Sequence, residues 1–69
     1  MYILREVNQG YVYDHKFYSL ETAKFWLRRF QKLDRGVSNV TYLLFNLDTH
    51  EVYDRVDIMK KEKGGIIYD

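Results

Sequence analysis

The chain contains no cysteine and no proline among its 69 residues. The absence of cysteine excludes a disulfide framework, a thiolate zinc site and a cysteine nucleophile, and it fits a reducing compartment. A long apolar run is also missing near the start, where Arg5, Glu6 and Asn8 interrupt the first residues. That stretch has neither the apolar core of a signal peptide nor the roughly 20 apolar residues of a membrane span. We therefore expect a cytoplasmic protein that does not bind a membrane.

The chain also lacks an excess of charge of either sign. Eleven basic and ten acidic residues leave a net charge of +1, which gives the molecule as a whole no electrostatic reason to bind nucleic acid. The two signs are nevertheless separated along the chain. Basic residues are concentrated in residues 20–35 and acidic residues in residues 48–57. This pattern predicts a basic helix that faces away from an acidic hairpin.

Residue types that usually carry catalysis are scarce. The serines are Ser19 and Ser38, the histidines are His15 and His50, and neither serine lies in a Gly-x-Ser-x-Gly elbow. No paired histidine spacing suits zinc, and no glycine-rich loop leads into a helix to hold a phosphate. We expect a non-enzymatic protein that needs no metal and no cofactor.

The first third of the chain predicts a β-hairpin followed by a helix. Residues 2–7 and 11–18 have the composition of strands, and Asn8-Gln9-Gly10 predicts a three-residue turn in which Gly10 takes a positive φ. Ser19 is a good N-cap for a helix that runs to Leu33 and ends at residues 34–36. One stripe of this helix is apolar and is expected to cover a sheet, whereas Phe25 lies outside it. The stripe consists of Leu20, Ala23, Trp26, Leu27, Phe30 and Leu33.

A second hairpin is predicted from residues 40–47 and 51–56, with Asp48-Thr49-His50 as its turn. The first of these strands is apolar on both faces and is expected to lie inside the sheet. One face would carry Leu43, Phe45 and Leu47, and the other Val40, Tyr42 and Leu44.

These elements predict an α+β fold, a four-stranded, mostly antiparallel ββαββ sheet with one helix packed on one face. Residues 1–57 would form a single domain with strand order 2-1-3-4, so that residues 11–18 form a poorly protected edge. Residues 58–69 would form a charged, glycine-containing tail that docks on the sheet or adds a short C-terminal strand.

A single helix cannot cover both faces of the third strand. Cover for the second face must come from the tail, from a second copy of the chain or from a target protein. The aromatic content of 17%, with seven tyrosines, also favours an interface. We therefore expect a protein-binding module and a homodimer. The predicted contact residues are Phe25, Arg28, Arg29 and Lys32 on the helix and Tyr11, Tyr13, Tyr42 and Leu44 on the strands.

The alternative is a nucleic-acid-binding protein that uses the same basic helix, or an open sheet with stacking rings. Against it, Arg35-Gly36-Val37 fails the Lys/Arg-Gly-aromatic-Gly pattern of RNA-recognition sheets at its third position. In overall style, a tiny, proline-free, tyrosine-rich and charge-dense chain resembles the accessory proteins of bacteriophages and other mobile elements. Many of those bind and inhibit host machinery by occupying a surface, so the resemblance implies the same mode of action here.

Overall fold

Four strands and one helix make up residues 1–34 and 39–59, the part of the chain that the computed structural model describes. The predicted α+β class and the ββαββ order are confirmed. The predicted C-terminal tail was residues 58–69, of which Ile58 still belongs to the fourth strand; from residue 60 onward the tail and its short strand lie outside the described residues. The elements are β1 (Tyr2–Asn8), β2 (Tyr11–Phe17), α1 (Leu20–Leu33), β3 (Val40–Asn46) and β4 (Val52–Ile58).

The strands form one antiparallel sheet in the order β2-β1-β3-β4. This arrangement is the predicted one, and it places β1 and the apolar β3 in the middle, with β2 and β4 at the two edges. In the centre of the sheet, Leu4 lies opposite His15 on one side and Leu44 on the other. A bulge shifts the pairing of β4 next to Leu44 and Phe45. The edge β2 has no such irregularity.

The first hairpin closes with a two-residue turn, one residue shorter than predicted. Asn8 pairs with Tyr11, so only Gln9 and Gly10 form the loop. Both have positive φ, 51° and 85°, which is the backbone that a type I′ turn requires and that matches the twist of the strands. The length of this turn fixes the register of the hairpin and places Arg5 opposite Asp14.

The second hairpin has a longer turn that is organised by one asparagine. The side-chain oxygen Oδ1 of Asn46 accepts hydrogen bonds from the backbone N–H groups of Asp48 (2.8 Å) and Thr49 (3.1 Å). The N–H of His50 donates to the Asn46 carbonyl at 2.8 Å, and His50 takes a positive φ of 64°. Short polar side chains favour turns for this reason, and the predicted turn residues all lie in this loop.

Local signals in the sequence start and end the helix. Ser19 is the N-cap as predicted, since its Oγ accepts a hydrogen bond from the N–H of Thr22 at 3.4 Å. The carboxylate of Glu21 lies in the first turn and Lys32 in the last, so both charges complement the helix dipole. At the other end, the N–H of Asp34 donates to the carbonyl of Phe30 at 3.0 Å.

The helix packs most closely over β1, β2 and β3. Its apolar stripe is narrower than predicted, because only Ala23 and Leu27 are buried, while Leu33 is 65% exposed. The core beneath the helix also contains Leu4, Val40, Tyr42 and Leu44.

Two predicted partner contacts are therefore wrong. Tyr42 and Leu44 are 5% and 0% exposed and lie under the helix, so they belong to the core and cannot reach a partner in this structure. The physical reason is that the helix covers the Val40–Tyr42–Leu44 side of β3. The uncovered side carries Leu43 and Phe45 instead.

Two leucines on the same helix test this packing. We expect Leu27→Ala to lower the free energy of unfolding by about 2 to 5 kcal/mol, because a buried leucine leaves a cavity when truncated. Leu33→Ala is the matched control and should change it by less than about 0.5 kcal/mol, since an exposed side chain loses little. Urea unfolding measures both values, and equal losses would contradict the position of the helix.

Candidate interaction surfaces

The outer side of α1 carries four basic side chains, Lys24, Arg28, Arg29 and Lys32, and an aromatic ring. All four are exposed, and none forms an ion pair with another residue in the segments that the structure describes. At about 100° per residue, Phe25 lies opposite the buried stripe, and it is 50% exposed. Unpaired cations around a half-exposed ring are typical of a binding surface, because arginine and aromatic residues are enriched at interfaces.

A series of aromatic contacts connects this surface to the core. Phe25 meets Trp26 edge to face, with 5.6 Å between ring centroids, and Trp26 meets Phe30 at 5.9 Å. Phe30 in turn stacks on the buried Tyr42 at 5.9 Å. Trp26, one of the predicted core residues, is 37% exposed and contacts Phe25. The edge-to-face contact with Trp26 is a favourable arrangement of two aromatic rings.

The second surface is the edge strand β2. Tyr11 and Tyr13 are 66% and 50% exposed, and their rings stack on each other with 6.4 Å between centroids. Because side chains alternate along a strand, both lie on the same side as His15 and Phe17, which is the helix side. The two tyrosines were predicted contact residues, and they are accessible for that role.

The backbone of β2 is accessible along the edge as well. In a hairpin with a two-residue loop, the flanking residues form a hydrogen-bonded pair, and such pairs recur at every second residue. Tyr11, Tyr13, His15 and Phe17 therefore direct their N–H and C=O groups toward β1. Val12, Asp14 and Lys16 direct theirs away from the sheet, where a further strand can pair with them.

The face of the sheet opposite the helix is less apolar than the sequence predicts. Ile3 is buried there, and Leu43 and Phe45 are half-buried. The guanidinium carbon of Arg5 lies over the ring of Phe45, 5.2 Å from its centroid. This cation–π contact covers the one described aromatic ring on this face.

Arg5 is fixed in that position by Asp14 on the neighbouring strand. Its Nε and a terminal nitrogen donate to the two carboxylate oxygens of Asp14 at 2.8 and 3.0 Å. These hydrogen bonds, together with the positive charges of Arg5 and Lys16, lower the pKa of Asp14. A planar fork of this kind is geometrically specific, so the pair holds the guanidinium over Phe45.

A second polar group lies at the other flank of the same face. The hydroxyl of Thr41 donates to Asp57 at 2.7 Å, and the Nε of Arg55 lies 3.3 Å from the other oxygen of that carboxylate. The hydrogen bond from Thr41, followed by that from Arg55, lowers the pKa of Asp57. Polar side chains thus flank the apolar centre of this face on both sides.

A polar cluster lies on the helix side, at the base of Phe30. The Nε2 of His15 lies 3.5 Å from Oε1 of Glu6 without alignment for a hydrogen bond, and it has no hydrogen-bond partner among the described residues. The His15 ring contacts Phe30 at 5.1 Å. Burial, with smaller contributions from the negative charges of Glu6 and Asp34, raises the pKa of Tyr42 to about 12.

The residues considered for catalysis or metal binding are not brought together. The Oγ of Ser19 is used in the helix cap, and Ser38 lies outside the described residues. Asp14 and His15 are neighbours on a strand and so lie on opposite faces. Within residues 1–34 and 39–59, no group of three or more histidine, aspartate or glutamate side chains could hold a metal ion.

The described part of the chain contains no helix that is long and apolar enough to cross a membrane.

Arg5 and Glu6 take part in these surfaces and were not singled out from the sequence, whereas Asp14 was considered only as a metal ligand beside His15. Counting outward from a two-residue turn gives the pairs Asn8–Tyr11 and Arg5–Asp14. A correct turn length would therefore have predicted that Arg5 lies opposite Asp14. Glu6 has no comparable signal, because its role depends on the position of the helix above it.

No family model matches the chain, and no curated protein or solved structure matches it significantly. Its function is therefore inferred from the geometry of its own residues.

The raised pKa of Tyr42 predicts a pH dependence of stability. Because the folded state favours the neutral phenol, the stabilisation is complete below the unfolded pKa near 10 and is lost as pH rises through about 12. Between about pH 9 and 12, we expect the free energy of unfolding of Tyr42→Phe to fall by roughly 1 to 3 kcal/mol less than that of the parent chain. Urea unfolding at each pH measures this difference. The exposed Tyr18 supplies the control Tyr18→Phe, which should follow the parent chain. Identical pH profiles for all three proteins would contradict the burial of Tyr42.

Proposed function

We propose that this chain is a small, non-enzymatic protein-binding module of the cytoplasm. Its contact surface is the outer side of α1, with Phe25 as the central ring and Arg28, Arg29 and Lys32 around it. Tyr11 and Tyr13 form a second contact region on the edge of the sheet. The module acts by occupying a surface of its partner and thereby inhibits or modulates it, in the manner of phage accessory proteins that act on host complexes.

The position of Phe25 carries this proposal. The ring lies on the side of the helix that faces away from the sheet, it is 50% exposed, and its one ring contact among the described residues is with Trp26, so it contributes little to the core. Desolvation of such a ring is favourable when a partner covers it. The surrounding positive charges favour a partner surface that combines acidic residues with an apolar pocket.

Nucleic acid is the second candidate, since the same unpaired cations could contact phosphates. The open-sheet mode of RNA recognition has little support, because it needs exposed rings on the face opposite the helix. Phe45 is the only aromatic residue on that face among the described residues, and Arg5 covers it. A protein partner therefore accounts better for the aromatic residues that are exposed.

Self-association is part of the proposal. The edge of β2 is long, regular and unpaired within the described sheet, and such edges pair with other chains unless they are protected. We assign the homodimer to this edge and the heterologous partner to the helix, so both surfaces can be occupied at once.

Affinity capture with matched variants tests the helix surface. The chain, Phe25→Ala, the double variant Arg28→Glu/Arg29→Glu, and the control Gln31→Ala are each immobilised and exposed to nuclease-treated lysate of the cells in which the protein occurs. We expect quantitative mass spectrometry to identify proteins that the parent and Gln31→Ala retain and that both surface variants lose at least tenfold. The reason is that hot-spot truncation costs about 2 kcal/mol or more.

Two results would contradict the proposal. One is a set of retained proteins that does not differ between the parent and the variants. The other is retention that occurs only when the nuclease treatment is omitted, together with binding of a labelled mixed-sequence oligonucleotide whose affinity falls steeply between about 50 and 200 mM salt. The second result would establish the nucleic-acid candidate instead.

A further inference from the structure

The edge strand β2 carries a side-chain pattern that is complementary to itself. We propose that two copies of the chain pair through β2 in an antiparallel, two-fold symmetric arrangement, with His15 of one copy opposite His15 of the other. This inference rests on the proposed homodimer and adds the register in which its two edges meet. The two sheets become one continuous eight-stranded sheet with both helices on the same side.

The backbone restricts the registers that are available. Only Val12, Asp14 and Lys16 direct hydrogen-bonding groups away from β1, so these residues must face one another across the new interface. Three symmetric registers then keep most of the seven residues of each β2 paired. They place His15, Asp14 or Tyr13, respectively, opposite its own copy.

Charge selects among these registers on the face opposite the helix. With His15 on the two-fold axis, Asp14 of each copy lies opposite Lys16 of the other, so the interface contains two pairs of opposite charge. Both side chains are exposed in the single chain, and Lys16 has no ion pair with any described residue. Asp14 already accepts from Arg5, and Lys16 of the second copy extends that pair into a three-residue network.

The helix side of the same register is aromatic. Tyr13 of each copy lies opposite Phe17 of the other in a non-hydrogen-bonded pair, where the side chains of antiparallel strands approach most closely. Tyr13 is half-exposed in the single chain, and Phe17 is partly buried against the core. The tyrosine of one copy therefore extends the apolar cluster of the other.

The two competing registers lack the pairs of opposite charge. With Asp14 on the axis, two carboxylates face each other directly, which is destabilising. With Tyr13 on the axis, the carboxylate of Asp14 lies opposite Val12, so it loses water without gaining a charged partner. The His15 register alone satisfies both faces of the strand.

Single-cysteine variants distinguish the three registers, because the chain has no cysteine and each variant can crosslink only to another copy. Only the residue on the two-fold axis faces itself, at a Cα separation of about 4.5 to 5.5 Å that a disulfide can span. His15→Cys, Asp14→Cys and Tyr13→Cys are oxidised under identical mild conditions, after circular dichroism has verified folding. We expect covalent dimer to form at least tenfold faster for His15→Cys than for the other two.

Sedimentation equilibrium of the parent chain separates the possible failures. Faster crosslinking at Asp14 or Tyr13 in a dimeric protein overturns the register and leaves the homodimer intact. A dimer that crosslinks at none of the three positions overturns the use of the β2 edge. A parent chain that remains monomeric at every concentration overturns the homodimer itself, while the helix surface is still tested separately by affinity capture.

Charge variants at an exposed position provide a test that does not depend on cysteine. We expect Lys16→Glu to weaken dimerisation roughly tenfold or more, because it places two carboxylates opposite each other at two symmetric positions. Lys16→Arg retains the charge and should leave the dimer dissociation constant within about twofold. Equal dissociation constants for Lys16→Glu and the parent overturn the proposed register.

Discussion

One helix can cover only one face of the sheet, and this limit determines which apolar groups remain uncovered. The helix packs on the side that carries Leu4, Tyr42 and Leu44, where it completes the buried core. The opposite face and the edge strands have no such cover within the described residues. A chain of this size has little apolar area to spare, so the groups left outside are either protected by charged side chains or available to a partner.

Some of these uncovered groups are protected by charged side chains, and others are left available to a partner. On the open face, Asp14 fixes Arg5 over Phe45, so a guanidinium covers an aromatic ring that the helix does not cover. The methylene groups of long charged side chains can cover apolar surface in this way while the charge stays in water. On the helix and on β2 there is no equivalent cover. Phe25, Tyr11 and Tyr13 remain exposed, and this difference directs the functional proposal to those two surfaces.

Local sequence signals predicted most of the fold. Ser19 gave the helix start, and the apolar residues of β3 gave its central position. The face that the helix covers could not be predicted, because period-two alternation defines two apolar faces of β3 without ranking them. Tyr42 and Leu44 were therefore assigned to the wrong environment. The turn predicted around Gln9 was one residue longer than the observed one. Glycine at position 10 is compatible with either loop length, and only the pairing of the two strands selects one. That single residue decides whether Arg5 meets Asp14.

The central claim is that β2 presents a free backbone edge that a second copy occupies, and amide hydrogen exchange tests it most directly. In the single chain, the N–H groups of Val12, Asp14 and Lys16 point to solvent, whereas those of Tyr13 and His15 are bonded to β1. As protein concentration rises, we expect exchange to slow selectively at the even-numbered positions of β2, as measured for each residue by NMR. Exchange that stays fast at Val12, Asp14 and Lys16 at every protein concentration, while Tyr13 and His15 are protected, would contradict it.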